Sequence, residues 1–145
     1  TAYEIMPSLV GSEMCIRDRG QGDTHNLTEI VAKHVRTSGI QAGTATIFIV
    51  GSTAIVTTIE FEPGAIADFN EVLEKLAPRH GNYQHHLRWG DDNGSSHVRA
   101  ALAGPSITVP FTNRTLVLGT WQQLTLVECD TRPRRREIVV QLIGE

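Results

Sequence analysis

Residues 44 to 61 read TATIFIVGSTAIVTTIEF, two runs of β-branched and apolar residues broken only by Gly51-Ser52. That composition predicts strands over 44–50 and 53–61 with a short turn or bulge between them. Upstream, Leu27, Ile30, Val31, His34 and Val35 recur at the spacing of one helix face, so a helix is expected over 26–37, closed by Gly39. Downstream, Pro63-Gly64 ends the second strand. A second helix over 65–77 follows, with Ile66, Phe69, Leu73 and Leu76 on one side, a Glu71–Lys75 pair and Pro78 as its stop. A short helix capped by Ser95 or Ser96 reaches Ala103. Strands over 106–111, 115–119, 121–129 and 137–143 then alternate like an antiparallel meander. Blocks of helices and strands in this order predict an α+β fold, a mainly antiparallel sheet with helices packed on one side.

Composition narrows the class. The 145 residues are 40% hydrophobic and 20% charged, which describes a single domain with a sizeable core. Nothing approaches the roughly 18 apolar residues of a membrane helix, so a soluble chain with no membrane partner is expected. Two cysteines and no secretory signal point to a reducing, cytoplasmic setting. A net charge of −3 gives no reason to expect nucleic acid, and the run Arg132-Pro133-Arg134-Arg135-Arg136 reads as a solvated turn before the last strand.

The first 18 residues read differently. Both methionines lie there, and Pro7, Ser8, Gly11 and Ser12 interrupt the apolar residues so that no period survives. The segment 1–18 is therefore expected to be non-native or disordered, with a single domain over 19–145.

Chemistry concentrates between Arg79 and Ser96, where no period is visible and loops of such length are usually functional. His80, His85, His86 and His97, four of the six histidines, fall with Arg88, Asp91, Asp92 and Arg99 within 20 residues. Imidazole titrates near neutrality and ligates transition metals, and carboxylates suit Mg²⁺, so the cluster has the groups for acid–base or metal chemistry. Leu118-Gly119-Thr120-Trp121-Gln122 places a glycine, a hydroxyl, an indole and an amide in a strand run, as at a bulge or a ligand contact. Gly51-Ser52-Thr53 presents small residues whose backbone N–H groups suit an anion, followed by Glu60 and Glu62. Cys129 reads as a buried thiol.

GNYQHH at 81–86, GDDNGSSHVRAALAGPSITVPF at 90–111, and GTWQQLTLVECD at 119–130 with the terminal QLIGE resemble the YjbQ family, whose members are often named secondary thiamine-phosphate synthase enzymes. The resemblance runs from about Arg19 to Glu145, while IMPSLVGSEMCIRD resembles translated sequencing-adaptor sequence. The family resemblance implies a small α+β protein forming a homotrimer. It also puts His85, His97, Arg99, Thr120, Trp121 and Gln122 on positions that match the family's motifs. With the residue chemistry above, His85, His97 and Arg99 are the candidate catalytic groups, and Arg88, Ser52 and Thr53 join Thr120, Trp121 and Gln122 as candidate substrate binders. His85, His97, Asp91, Asp92 and Glu60 are the candidate ligands for a divalent metal, Mg²⁺ or Zn²⁺. Many relatives carry a histidine at the position of Gly51, so a three-histidine site would keep only His85 and His97 here.

The activity implied is that of a transferase acting on small phosphorylated metabolites, joining a thiazole phosphate to a pyrimidine diphosphate to give thiamine phosphate. Two other classes fit the same residues: a non-catalytic trimer binding a phosphometabolite or metal, and a metal-dependent hydrolase.

Overall fold

A computed structural model describes residues 8–145, and side chains from Gly11 onward. The order is β1 (Ser8–Arg17), β2 (Thr24–Asn26), α1 (Thr28–Thr37), β3 (Gly43–Val50), β4 (Ala54–Ile59), α2 (Pro63–Leu76), α3 (Gln84–Trp89), α4 (Gly94–Ala103), β5 (Ser106–Thr112), β6 (Thr115–Leu116), β7 (Gln123–Glu128) and β8 (Arg135–Gly144). All strand pairs are antiparallel, in two sheets ordered β1-β8-β3-β5-β6 and β2-β7-β4. The fold is α+β. No helix among the described residues is long and apolar enough to cross a membrane.

The main core lies between the sheets. From β3 the alternate residues Ala45, Ile47 and Ile49 point inward, and β8 contributes Ile138, Val140 and Leu142. Leu124 and Leu126 of β7 meet them, and α1 closes one end with Leu27, Val31 and Val35. Each such side chain, fully buried, stabilises by roughly 1.5–3 kcal/mol. The smaller sheet is covered on both faces. Ile55, Val127 and Cys129 point the other way onto Leu73 and Phe69 of α2, which is why these strands read as continuous apolar runs. Helix α2 starts where Glu62 accepts hydrogen bonds from the Gly64 and Ala65 N–H groups.

Several expectations change. The two strands flanking Gly51-Ser52 do not pair; β3 and β4 belong to different sheets, and the chain crosses between layers at that dipeptide. Residues 8–17, expected to lack regular structure, form β1 along the whole of β8, from Ser8 opposite Gly144 to Arg17 opposite Arg135. The physical reason is an alternation hidden by small residues: Met14 and Ile16 pack on the core while Gly11, Glu13, Cys15 and Arg17 face out. Residues 1–7 of that segment lie outside the described residues. Ile30 and Leu76 are exposed rather than on the buried helix faces. Ser95 and Ser96 do not cap α4: Asn93 holds the N-cap position and both serines are buried inside the first turn. In the basic run, Arg136 is buried and ion-paired rather than solvated.

Candidate functional site

The aperiodic stretch after α2 folds around a glycine. A Cβ on Gly94 would lie 2.5 Å from the Tyr83 Cβ and 2.9 Å from His86 Nε2, so only a bare backbone lets α3 pack against the start of α4. The Gly94 N–H donates to His86 Nε2 at 3.0 Å, so this ring nitrogen holds the first turn of α4 against α3. Tyr83 Oη donates to the Pro78 carbonyl at 2.6 Å, and Gly90 ends α3 in the left-handed conformation. Two histidines are thereby brought together. The rings of His85 and His97 meet edge to face, 4.5 Å between centroids and 87° between planes. His85 Nε2 lies 3.2 Å from Asn93 Oδ1 and 3.6 Å from Asp91 Oδ2. His97 opens onto a cleft of about 230 Å³ shared with Gly51, Ser52, Ala54, Ala100 and Pro105. Beside the start of α4, Asp91 Oδ1 and the hydroxyls of Ser95 and Ser96 are buried without a hydrogen-bond partner.

The other proposed residues are elsewhere. Arg99, two residues from His97 on α4, turns into the protein, where Nε donates to the Ala77 carbonyl at 2.9 Å and Nη2 pairs with Glu74. Thr53 is buried, donating to Asp130 Oδ2 at 3.0 Å and accepting from Arg136. Asp92 faces away from Asp91, accepting from Thr131 Oγ1 at 3.1 Å. Arg88 lies over the exposed Trp89 ring, 5.5 Å from its centroid. Gln122 closes its own turn, its Oε1 accepting from the Gly119 N–H at 3.1 Å and its Nε2 donating to Thr58 Oγ1 at 3.2 Å. Thr120 and Trp121 line a different cleft, with Glu60 and Phe61. That cleft and the His97 cleft sit at opposite ends of β4, which at about 3.3 Å per residue separates them by roughly 20 Å within one chain.

Sequence reasoning missed a buried ionic cluster under Gly51. Arg136 donates through Nε to Glu128 Oε2 at 2.7 Å, and Nη2 reaches Glu128 Oε1 and Thr53. Asp130 holds Arg134 at 2.8 Å, and Asp18 accepts from the N–H groups of Gly20 and Arg134. Burial pushes the Glu128 carboxyl up to about 7, with the adjacent Asp18 carboxyl adding to the rise and Arg136 opposing it. Burial also pushes the Cys129 thiol up to about 12, which leaves it unreactive. The available signal was charge at alternate positions, Glu128, Asp130, Arg134 and Arg136, flanking apolar strands. A Cβ at Gly51 would lie 2.9 Å from Arg136 Nη1, so a side chain there must displace this guanidinium.

Of the five candidate ligands only His85, His97 and Asp91 gather, and among the described residues no three His, Cys, Asp or Glu side chains are arranged to hold an ion.

Comparison with known proteins agrees with this arrangement of elements. A family model described as UPF0047 protein YjbQ-like matches residues 12–145, beginning inside β1 and ahead of Arg19. A UPF0047 protein of Methanothermobacter thermautotrophicus is 34% identical over 141 residues, covering 97% of this chain and 96% of the relative. One of Synechocystis is 32% identical, covering 83% of each. The crystal structure of a YbjQ-like protein of unknown function from Sulfolobus solfataricus superimposes with a TM-score of 0.91 at 29% identity, covering 97% of this chain and all of that one.

Proposed function

Because the chain belongs to the YjbQ-like UPF0047 family, we propose that it is an enzyme acting on small phosphorylated metabolites at the His85–His97 cleft, as a transferase of the thiamine-phosphate synthase type. The observation that carries this reading is the His85–His97 pair, one imidazole anchored by Asn93 and the other open to a cleft. In such a transfer a thiazole nitrogen bonds to the pyrimidine methylene carbon as the C–O bond to diphosphate breaks. In this reading His97 gives a proton to the departing diphosphate, and His85, in ring contact with it, orients it. Ser52 and the backbone around Gly51 form the facing wall. The test is incubation with both substrates, with and without Mg²⁺ or chelator, and chromatography of the product. His97→Ala should lower the rate at least about 100-fold, the scale of positioned acid–base groups, while the exposed His80→Ala leaves it unchanged. An unaltered rate in His97→Ala overturns the assignment.

A second reading, a non-catalytic phosphometabolite-binding or metal-binding protein, is favoured by the commitment of Arg99 and Thr53 to internal bonds. Ligand retained in native mass spectrometry without turnover supports it. Phosphate released from simple esters and abolished by chelator supports a hydrolase instead.

The homotrimer belongs to the same proposal. The outward face of the larger sheet exposes Phe48, Val50 and Ile143, with Val50, 48% exposed, at the end of the central strand β3. Sedimentation of the full chain should give three copies, and Val50→Glu should dissociate them. A cytoplasmic location is supported by the two unpaired cysteines, Cys15 and Cys129.

A further inference from the structure

The Trp121 cleft has a chemistry of its own. It is the larger of the two clefts at the ends of β4, about 390 Å³, and is lined by Asn26, Glu60, Phe61, Glu62, Trp121 and Gln123 among others. Trp121 is 71% exposed, an indole held out by its turn rather than packed in the core. Phe61 is also exposed. Among the described residues no lysine, arginine or histidine lines the cleft, whereas the cleft beyond the Gly119–Gln122 turn is lined by Arg36 and Arg114. The start of α2 opens beside it, but its Gly64 and Ala65 N–H groups are already taken by the Glu62 carboxylate. An anion therefore finds only neutral donors here, from Thr120, Trp121 and Gln123, and no cation to balance it, and two carboxylates would repel it. Two aromatic rings with two carboxylates at one cleft are the groups that attract a positively charged organic group, through the ring faces and through charge.

We propose that the cleft formed by Trp121, Phe61, Glu60 and Glu62 is a binding site for a small organic cation of the quaternary or alkylated ammonium class, separate from the His85–His97 site. Glu60 supplies a carboxyl group not engaged by any helix cap, and Trp121 supplies the ring face. Phosphorylated groups are excluded by the acidic rim. The assignment does not depend on the transferase reading.

The experiment uses the full chain carrying Trp89→Phe, so that Trp121 is the only indole. Choline is titrated against its fluorescence, with 3,3-dimethylbutanol as the uncharged isostere and inorganic phosphate as the anion. Choline should give a saturable change, the isostere should bind about tenfold more weakly, and phosphate should give none. Glu60→Gln should weaken choline several-fold. Trp121→Ala, measured by calorimetry with Trp89 restored, should abolish binding; the exposure of Trp121 keeps this variant folded. Equal binding of choline and its isostere overturns the proposal, as does the absence of saturation up to about 50 mM choline. Choline affinity unchanged in Glu60→Gln and Trp121→Ala overturns it equally.

Discussion

Arg136 on β8 grips Glu128 on β7 through both Nε and Nη2, and so ties the larger sheet to the smaller one at a point sealed from solvent. Removing Arg136 leaves the buried Glu128 carboxyl and the Thr53 carbonyl without the donors that satisfy them, and breaking such a buried pair costs about 3–5 kcal/mol. Arg136→Ala should therefore lower the free energy of unfolding by that amount in urea denaturation. Arg135→Ala, one residue away but exposed, should stay within about 0.5 kcal/mol of the parent. Equal effects of the two would mean that the inter-sheet pair contributes nothing.

The same cluster makes stability depend on pH. Glu128 titrates at about 7 in the folded protein against an ordinary value of 4.5, so the folded state prefers it protonated. Its contribution is fully present below about pH 4.5 and is lost as pH rises through 7, a change of roughly 3 kcal/mol. Asp130 works in the opposite sense: its pKa is lowered, so its contribution is present above its ordinary value of 3.8 and is lost only in stronger acid. Melting temperature should fall between pH 5 and 8, and Glu128→Gln should flatten that slope. A slope unchanged by this substitution would assign the titration to another group.

Deleting residues 1–17 should be costly, contrary to what their lack of an obvious period implies. The deletion strips the outer strand from β8 and removes the core contacts of Met14 and Ile16. It also leaves β8 with the unpaired N–H and C=O groups that promote association with other edges. A loss above about 2 kcal/mol and visible aggregation on heating are expected. An unchanged melting curve would show that β1 is dispensable.

How far the fold can be read from sequence follows from what periodicity encodes. Alternation in β3 and β8 identifies which residues face inward, and Ala45, Ile47, Ile49, Ile138 and Val140 obey it. It carries no information on pairing partners, so the division into two sheets at Gly51-Ser52 stayed hidden. Strand β1 was missed because Gly11 and Ser12 masked its pattern, and α3 because six residues are too few to show a helical period. The histidine cluster was legible from spacing, since α3 and α4 are neighbours in the chain, and the structure does bring His85 to His97. Within one chain Trp121 lies at the other end of β4 from them, because residue types suggest a ligand without fixing which end of a strand they occupy. The direction of the Arg99 side chain is likewise absent from the spacing. A charged residue two positions from a candidate histidine looks functional in sequence, but on a helix that offset turns it toward a different side.

Arg99 gives the clearest separation of roles. Its Nε satisfies the buried Ala77 carbonyl just past the end of α2, a group with no helical partner of its own, and its Nη2 pairs with Glu74 on the last turn. The Arg99 hydrogen bond is also the main reason the Glu74 carboxyl sits below its ordinary range. Arg99→Ala leaves a buried carbonyl unsatisfied, so unfolding free energy should drop by about 1–3 kcal/mol. Glu74→Gln should cost less than about 1 kcal/mol, because that carboxylate is half exposed and its pairing is screened. Arg99→Lys keeps the charge but not the forked donors, and should fall between the two. If Arg99 instead contacts substrate, Arg99→Ala will melt with the parent while turnover collapses. Stability lost together with any loss of turnover, the loss of turnover being reversed at low temperature where the variant stays folded, assigns it to positioning α2 against α4.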